Sequence, residues 1–277
     1  MVKDIGKKSN ALQVLEAAHS SNLLALLPDV PLNVMAKQNN LAAQHRHCGS
    51  LLSHSAHPLA FPDAEKPLKQ ALKMYREIED LHRRHTLGAS VDPFQKVAFD
   101  RSVITLMDLG HLYRNQQQQH ADATSMCQDA LERMRDTIGN YGITRARQEL
   151  LACILTTHGG NYNDQCDRAA EKPTSKCLAA KALVEEALTI TRTLNAQAAE
   201  MARNQTTQPG CIQNQADQHE RTAQVLLTLT DAYNNLEMFD EARSILTEAV
   251  KVSSSSHGDE SAHVDILKIQ LAIRSTM

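Results

Sequence analysis

Thirteen histidines and six cysteines are the residues of this chain with the most to offer chemically. Metal binding is the chemistry they suggest first. The densest group is His45, His47, Cys48, His54 and His57. A tetrahedral zinc site takes four nitrogen or sulfur ligands. His47 and Cys48 are adjacent, so on a helix they point to different sides. His82 and His85 are spaced for one helical face but lack a third ligand, and surface or turn histidines are the plainer reading of both groups. Cys166 and Cys177 flank a loop-like segment and could meet as a disulfide or around a metal. Cys153 and His158 raise the idea of a thiol nucleophile beside its base. Five residues apart on a helix, they share a face poorly, so a buried thiol and a core imidazole fit better.

No phosphate loop, dinucleotide fingerprint, serine-nucleophile elbow or H-E-x-x-H pair occurs. Gly159–Gly160, followed by Asn161–Tyr162–Asn163–Asp164, reads as a turn. Gln116 to Gln119 reads as a helix extension or turn. We therefore expect no catalytic residues, no metal, no cofactor and no enzymatic activity.

The elements that carry these residues read as helices throughout. Aromatic residues make up 3% of the chain and tryptophan is absent, whereas 42% is hydrophobic, carried by Ala, Leu, Val, Ile and Met. Ala and Leu favour helix, and strand-favouring aromatics are scarce. The net charge of −3 and the lack of a basic block argue against a nucleic-acid partner. His82–Arg83–Arg84–His85 reads as a solvated helix end. No apolar run approaches the roughly 18–20 residues of a membrane span, and residues 1 to 27 make a poor signal peptide. Cysteines without tight repeated spacing fit a reducing compartment, where they act as small hydrophobes. The location expected is intracellular, cytoplasmic or mitochondrial.

One helical stripe recurs four times: alanine, an apolar residue four later, alanine three later, then another apolar residue. It reads Ala64–Leu68–Ala71–Leu72, Ala123–Cys127–Ala130–Leu131, Ala180–Val184–Ala187–Leu188 and Ala242–Leu246–Ala249–Val250. Offsets of four and seven place these residues on one face, and alanine lets a neighbouring helix come close. A second apolar-periodic helix precedes each stripe. The clearest is Arg221 to Asn235, followed by a turn at Leu236 to Phe239 and Asp240 as N-cap. The next is Ser102 to Asn115.

In these residues the chain resembles the tetratricopeptide repeat family, in a long-repeat style like that of kinesin light chain. Leu226, Leu229, Thr230, Tyr233, Phe239, Ala242, Leu246 and Ala249 match the family pattern in register. Leu106, Leu109, Gly110, Tyr113, Ala123 and Ala130 match with one extra turn residue. For the third unit Leu151, Ile154, Leu155 and His158 are expected as the first helix, with a long loop from Gly159 to Ser175. For the first unit the candidate is Leu41 to Leu52, with Gly49. The repeats exceed the family's minimal unit of about 34 residues, and a linker is expected over Asn204 to Gln218.

The resemblance implies an all-α, right-handed superhelical solenoid of antiparallel helix pairs. Its units would be 33–86, 95–139, 142–204 and 219–254, with capping helices in 1–31 and 259–275. It also implies a groove lined by the first helices. By register, that groove holds Ile104, Met107, His111, Arg114 and Asn115 in the second unit. In the fourth it holds Gln224, Leu227, Asp231, Asn234 and Asn235. Where some family members carry a Lys/Asn clamp for chaperone tails, this chain has Met107, Asp108, Leu227 and Thr228. We therefore expect a protein partner, as a hydrophobic helix or extended neutral peptide, and no chaperone-tail binding. The function expected is a non-catalytic interaction scaffold or adaptor. The alternatives are a structural or assembly-factor subunit of a large complex, with the mitochondrion as one setting, and a metal-binding or enzymatic helical protein.

Overall fold

The structure, a computed structural model, describes residues 32–53, 60–85, 93–115, 119–169, 174–204 and 209–257. The capping helices expected in 1–31 and 259–275 lie outside them, as do His54, His57 and the side chains of His82 and His85. The chain divides into two compact units, Met1–Thr137 and Ile138–Met277. The described residues hold helices and no strand.

The first unit contains α1 (Leu32–Ser53), α2 (Ala60–His85), α3 (Pro93–Asn115) and all but the last turn of α4 (His120–Tyr141). The second contains α5 (Arg145–Arg168), α6 (Thr174–Asn204), α7 (Pro209–Asn235) and α8 (Phe239–His257). In the first unit α1 packs on α2 and α2 on α3, and α3 meets α4 at Gly110; in the second α5 packs on α6, α6 on α7 and α7 on α8. The first helices of neighbouring pairs, α1 with α3 and α5 with α7, also touch. This is the tetratricopeptide-like arrangement of stacked helix pairs.

Small side chains explain the pairing. Both alanines of every stripe are buried: Ala64 and Ala71, Ala123 and Ala130, Ala180 and Ala187, Ala242 and Ala249. Three of the four first helices, α1, α3 and α5, meet the first alanine of their stripe through a glycine. A Cβ on Gly49 would lie 3.0 Å from the Ala64 carbonyl and 2.6 Å from Leu68 Cγ. One on Gly110 would lie 3.5 Å from the Ala123 carbonyl and 2.9 Å from Cys127 Sγ. One on Gly159 would lie 3.2 Å from the Ala180 carbonyl and run into Val184 Cγ2. At Gly49 and Gly159 the facing backbone itself crowds a Cβ, whereas at Gly110 the Cys127 sulfur fills the space. The cost of a mid-helix glycine, roughly 1 kcal/mol, is offset by this contact.

Gly159→Ala is therefore expected to destabilise the second unit by about 1–3 kcal/mol through overpacking, because Val184 is β-branched and stiff. Adding Val184→Ala should relieve part of that loss. Urea denaturation of both variants checks it. Equal stability of Gly159→Ala and the parent would mean the crossing lies elsewhere.

The contact at Gly159 corrects the expected third unit. Gly159–Gly160 is not a turn, and no loop runs from Gly159 to Ser175. Helix α5 continues unbroken to Arg168 and α6 begins at Thr174. The register shifts with it. Leu155, His158, Gly159 and Tyr162 take the places of Leu106, Leu109, Gly110 and Tyr113, instead of Leu151, Ile154, Leu155 and His158. The linker expected over Asn204–Gln218 is mostly helix as well, because α7 begins at Pro209, and proline is well suited to a first helical position.

Polar contacts between neighbouring pairs repeat with the architecture. The Tyr113 hydroxyl donates to Glu65 Oε1 at 2.7 Å, and the Tyr233 hydroxyl donates to Glu185 Oε1 at 2.9 Å. Both bonds span 48 residues of sequence. A lysine lies over each ring, Lys69 at 6.0 Å and Lys181 at 5.3 Å. Along the chain the charges are exchanged: Glu65 precedes Lys69, whereas Lys181 precedes Glu185. Each tyrosine follows the carboxylate. Burial first and the Glu185 hydrogen bond second push the Tyr233 phenol up to about 12, so it remains a donor throughout the neutral range.

The α7–α8 turn is closed by backbone bonds from Met238 N to the Tyr233 carbonyl at 2.9 Å and from Glu237 N to the Asn234 carbonyl at 3.0 Å. This is a Schellman cap, whose penultimate residue adopts a left-handed conformation. That residue is Glu237, at φ 60°. Helix α8 starts at Phe239, so Asp240 sits within its first turn and does not cap it. There its carboxylate opposes the positive end of the helix dipole. Glu237→Gly should raise stability by about 1 kcal/mol by relieving the left-handed strain. A melting temperature at or below the parent value would contradict that.

Candidate partner-binding surface

The first helices of each unit run parallel, and side-chain bonds show it. In the first unit Arg101 Nη1 donates to Asn39 Oδ1 at 3.0 Å, and Arg46 Nε pairs with Asp108 Oδ2 at 2.9 Å. Both contacts span 62 residues, so α1 and α3 keep one offset along their length. In the second unit Glu149 on α5 gathers three donors. Arg145 Nε lies at 3.0 Å, Gln218 Nε2 at 2.8 Å and Arg221 Nη1 at 2.8 Å. Burial raises the Glu149 carboxyl, but the Arg221 and Arg145 hydrogen bonds outweigh it and hold the group below the usual carboxylate range.

Further along the same seam Asn163 Nδ2 donates to the Thr228 carbonyl at 2.9 Å, and Asn235 Nδ2 donates to the Asn163 carbonyl at 3.4 Å. All three residues are buried. Asn235 is thus occupied within the fold. Thr144 starts α5 as its N-cap, with its hydroxyl accepting from Arg147 N at 3.3 Å. Gly142, at φ 76°, makes the turn before it.

The other residues expected in the groove differ in exposure. On α3, His111 and Asn115 are exposed, Ile104 and Arg114 are half-buried and Met107 is buried. On α7, Gln224 and Asp231 are exposed, and Leu227 and Asn234 are half-buried. The corrected register adds Cys153, Thr156 and Asp164 of α5, all half-buried, and the buried Gly160 and Asn163. Sequence reasoning missed these because it set α5 four residues out of step. The match of Leu155, Gly159 and Tyr162 to Leu106, Gly110 and Tyr113 carried the signal. At the former clamp positions Met107 is buried, Asp108 pairs with Arg46, and Thr228 Oγ1 donates to the Gln224 carbonyl at 3.0 Å.

The chemically suggestive residues separate. His45 is buried, His47 exposed and Cys48 half-buried, so the three leave α1 in different directions. Among the described residues no three His, Cys, Asp or Glu side chains converge as a metal site would require. Burial raises the Cys153 thiol above its ordinary value, which opposes the thiolate a nucleophile needs. His158 is buried and stacks on Tyr162 at 4.9 Å between ring centroids. Neither of its ring nitrogens has a hydrogen-bond partner. Of the two readings open for Cys166 and Cys177, the structure shows a disulfide, with Cα atoms 6.2 Å apart.

No protein-family model and no curated protein matches the chain. Among solved structures, the crystal structure of the yeast Tom70 is similar at 14% identity with a TM-score of 0.18. The match covers 97% of this chain, which spans 60% of the length of that one. At that score the likeness carries no argument, and the tetratricopeptide-like assignment stands on helix pairing and alanine burial. No described helix is long and apolar enough to cross a membrane.

Proposed function

We propose that this chain is a non-catalytic scaffold that binds a segment of a partner protein along its first helices. The observation that carries the reading is a contrast on α7. Its Leu226, Leu229 and Ala232 are buried, whereas Gln224, Leu227, Asp231 and Asn234 keep partial or full exposure. A helix whose one face is spent on packing leaves the other for a ligand. Apolar and amide groups mixed along that row suit a hydrophobic helix or an extended neutral peptide. His111, Arg114 and Asn115 take the corresponding places on α3. A clamp for an acidic chaperone tail is not part of the reading, because no lysine stands at the relevant positions.

The test is affinity purification from the native cell, with mass spectrometry, of the parent chain and of a Gln224→Arg, Asp231→Arg double variant. Both positions are exposed, so folding should be unaffected. The expected result is loss of one or more specific partners at unchanged thermal stability. An identical partner profile would remove this surface from consideration.

Leu178 and Phe239, on second helices, favour a second reading, a subunit of a larger assembly. They are 51% and 59% exposed, and large apolar residues held in water often mark covered surfaces. Under that reading Phe239→Ser should release the chain from the complex in native gels while Gln224→Arg, Asp231→Arg should not.

A further inference from the structure

We propose that Cys166 and Cys177 form an oxidised clasp in the functional protein, and that this clasp secures the docking of α7 on α5. Cys166 lies in the last turn of α5 and Cys177 in the first turn of α6, eleven residues apart and both fully buried. Their Cα separation of 6.2 Å falls inside the range a disulfide spans. Beside it, Lys176 Nζ donates to Gln165 Oε1 at 2.7 Å across the same hairpin. Cys48, Cys127 and Cys153 take no part and remain thiols.

The clasp has a purpose in its neighbourhood. Beyond the Gly159 crossing, α5 buries Gly160, Asn161 and Asn163, with few apolar groups to hold it down. Yet this stretch carries Asn163, whose amide and carbonyl bond to Thr228 and Asn235 of α7. A covalent link at Cys166, three residues past Asn163, restrains those last turns where hydrophobic packing is thin. With the clasp open, the end of α5 depends more heavily on its polar bonds and the α5–α7 seam loosens.

Closure is a thiol–disulfide exchange. The thiolate of one cysteine attacks an external disulfide, forming a mixed disulfide and releasing the first thiol of the oxidant. The second cysteine, as thiolate, then attacks the bonded sulfur and expels the second thiol. Two S–H bonds are lost, one S–S bond forms, and two electrons and two protons leave with the reduced oxidant. Because both sulfurs are buried in the folded unit, exchange takes place before the hairpin packs. The folded bond is then shielded from reductants. The natural setting is a compartment that oxidises thiols, at odds with the reducing compartment expected from cysteine spacing.

The test uses the full chain recovered from its own cells with thiols trapped in acid. After denaturation in iodoacetamide without reductant, four of the six cysteines should be alkylated, and the 166–177 pair should survive as a cross-linked peptide. Alkylation of all six would overturn the proposal. Hydrogen exchange then compares oxidised protein with protein reduced by dithiothreitol in urea and refolded under reductant. Reduction should speed exchange in α7 at least tenfold while leaving α3 unchanged. Equal protection of α7 in both forms would also overturn it. The Cys166→Ser, Cys177→Ser variant should melt roughly 10 °C below the oxidised parent, and a Cys48→Ser control should not. If the double variant fails to fold, the reduced parent supplies the same comparison.

Discussion

Ala249→Arg is expected to unfold the α7–α8 pair. Ala249 is fully buried at the second alanine of its stripe. An arginine there must either place a charge between helices without a partner or push the helices apart. An unpaired buried charge costs several kcal/mol, a large share of the stability of any single unit. We expect a loss of more than about 4 kcal/mol, read as a lower first transition in circular-dichroism melting and loss of amide protection in α7 and α8. Lys251→Arg, two residues on and exposed, is the matched control and should be neutral. An unchanged melt for Ala249→Arg would mean that the alanine stripe does not face the neighbouring helix.

His158→Leu should have the opposite sign. His158 occupies the place that Leu109 and Leu229 hold in the second and fourth repeats. Burial pushes its pKa down to about 4, below the value near 6.5 of an unfolded histidine. Between these values the unfolded chain binds a proton that the folded chain refuses. Stability is therefore complete above about pH 6.5, falls as the pH drops through that window and levels off near 4. The span corresponds to roughly 3 kcal/mol or slightly more. Leucine removes the titration and the two unpartnered ring nitrogens together. The variant should gain about 1–2 kcal/mol at neutral pH and lose most of the parent's acid sensitivity. Denaturant midpoints at pH 7, 5.5 and 4.5 check both effects. A parent whose midpoint does not fall across this range would show that the imidazole is solvated.

The largest departure from the sequence reading lies in α5. Gly159, Gly160, Asn161, Asn163 and Asp164 are turn-formers by propensity, and their cluster in α5 was read as a break in the helix. Local preference is weak beside packing. The Val184 and Ala180 surface of α6 requires a glycine at 159, and α7 supplies partners for Asn163. Helix α7 likewise starts at Pro209, well before its apolar periodicity becomes clear, and proline suits a first helical position. By contrast, the pattern around Tyr233 was legible without any structure, because strong periodicity, a short turn and both alanines coincide there.

The amino-acid sequence by itself determined that the described residues are helical and that alanine stripes pair their helices. Periodicity is a local property, so one strand of sequence contains it in full. Only the tertiary structure decided the register of α5, the burial of Asn235, the joining of Cys166 to Cys177 and the partner each tyrosine hydroxyl takes. These depend on which atoms arrive together from residues as many as 72 positions apart, and helical spacing carries no record of that meeting.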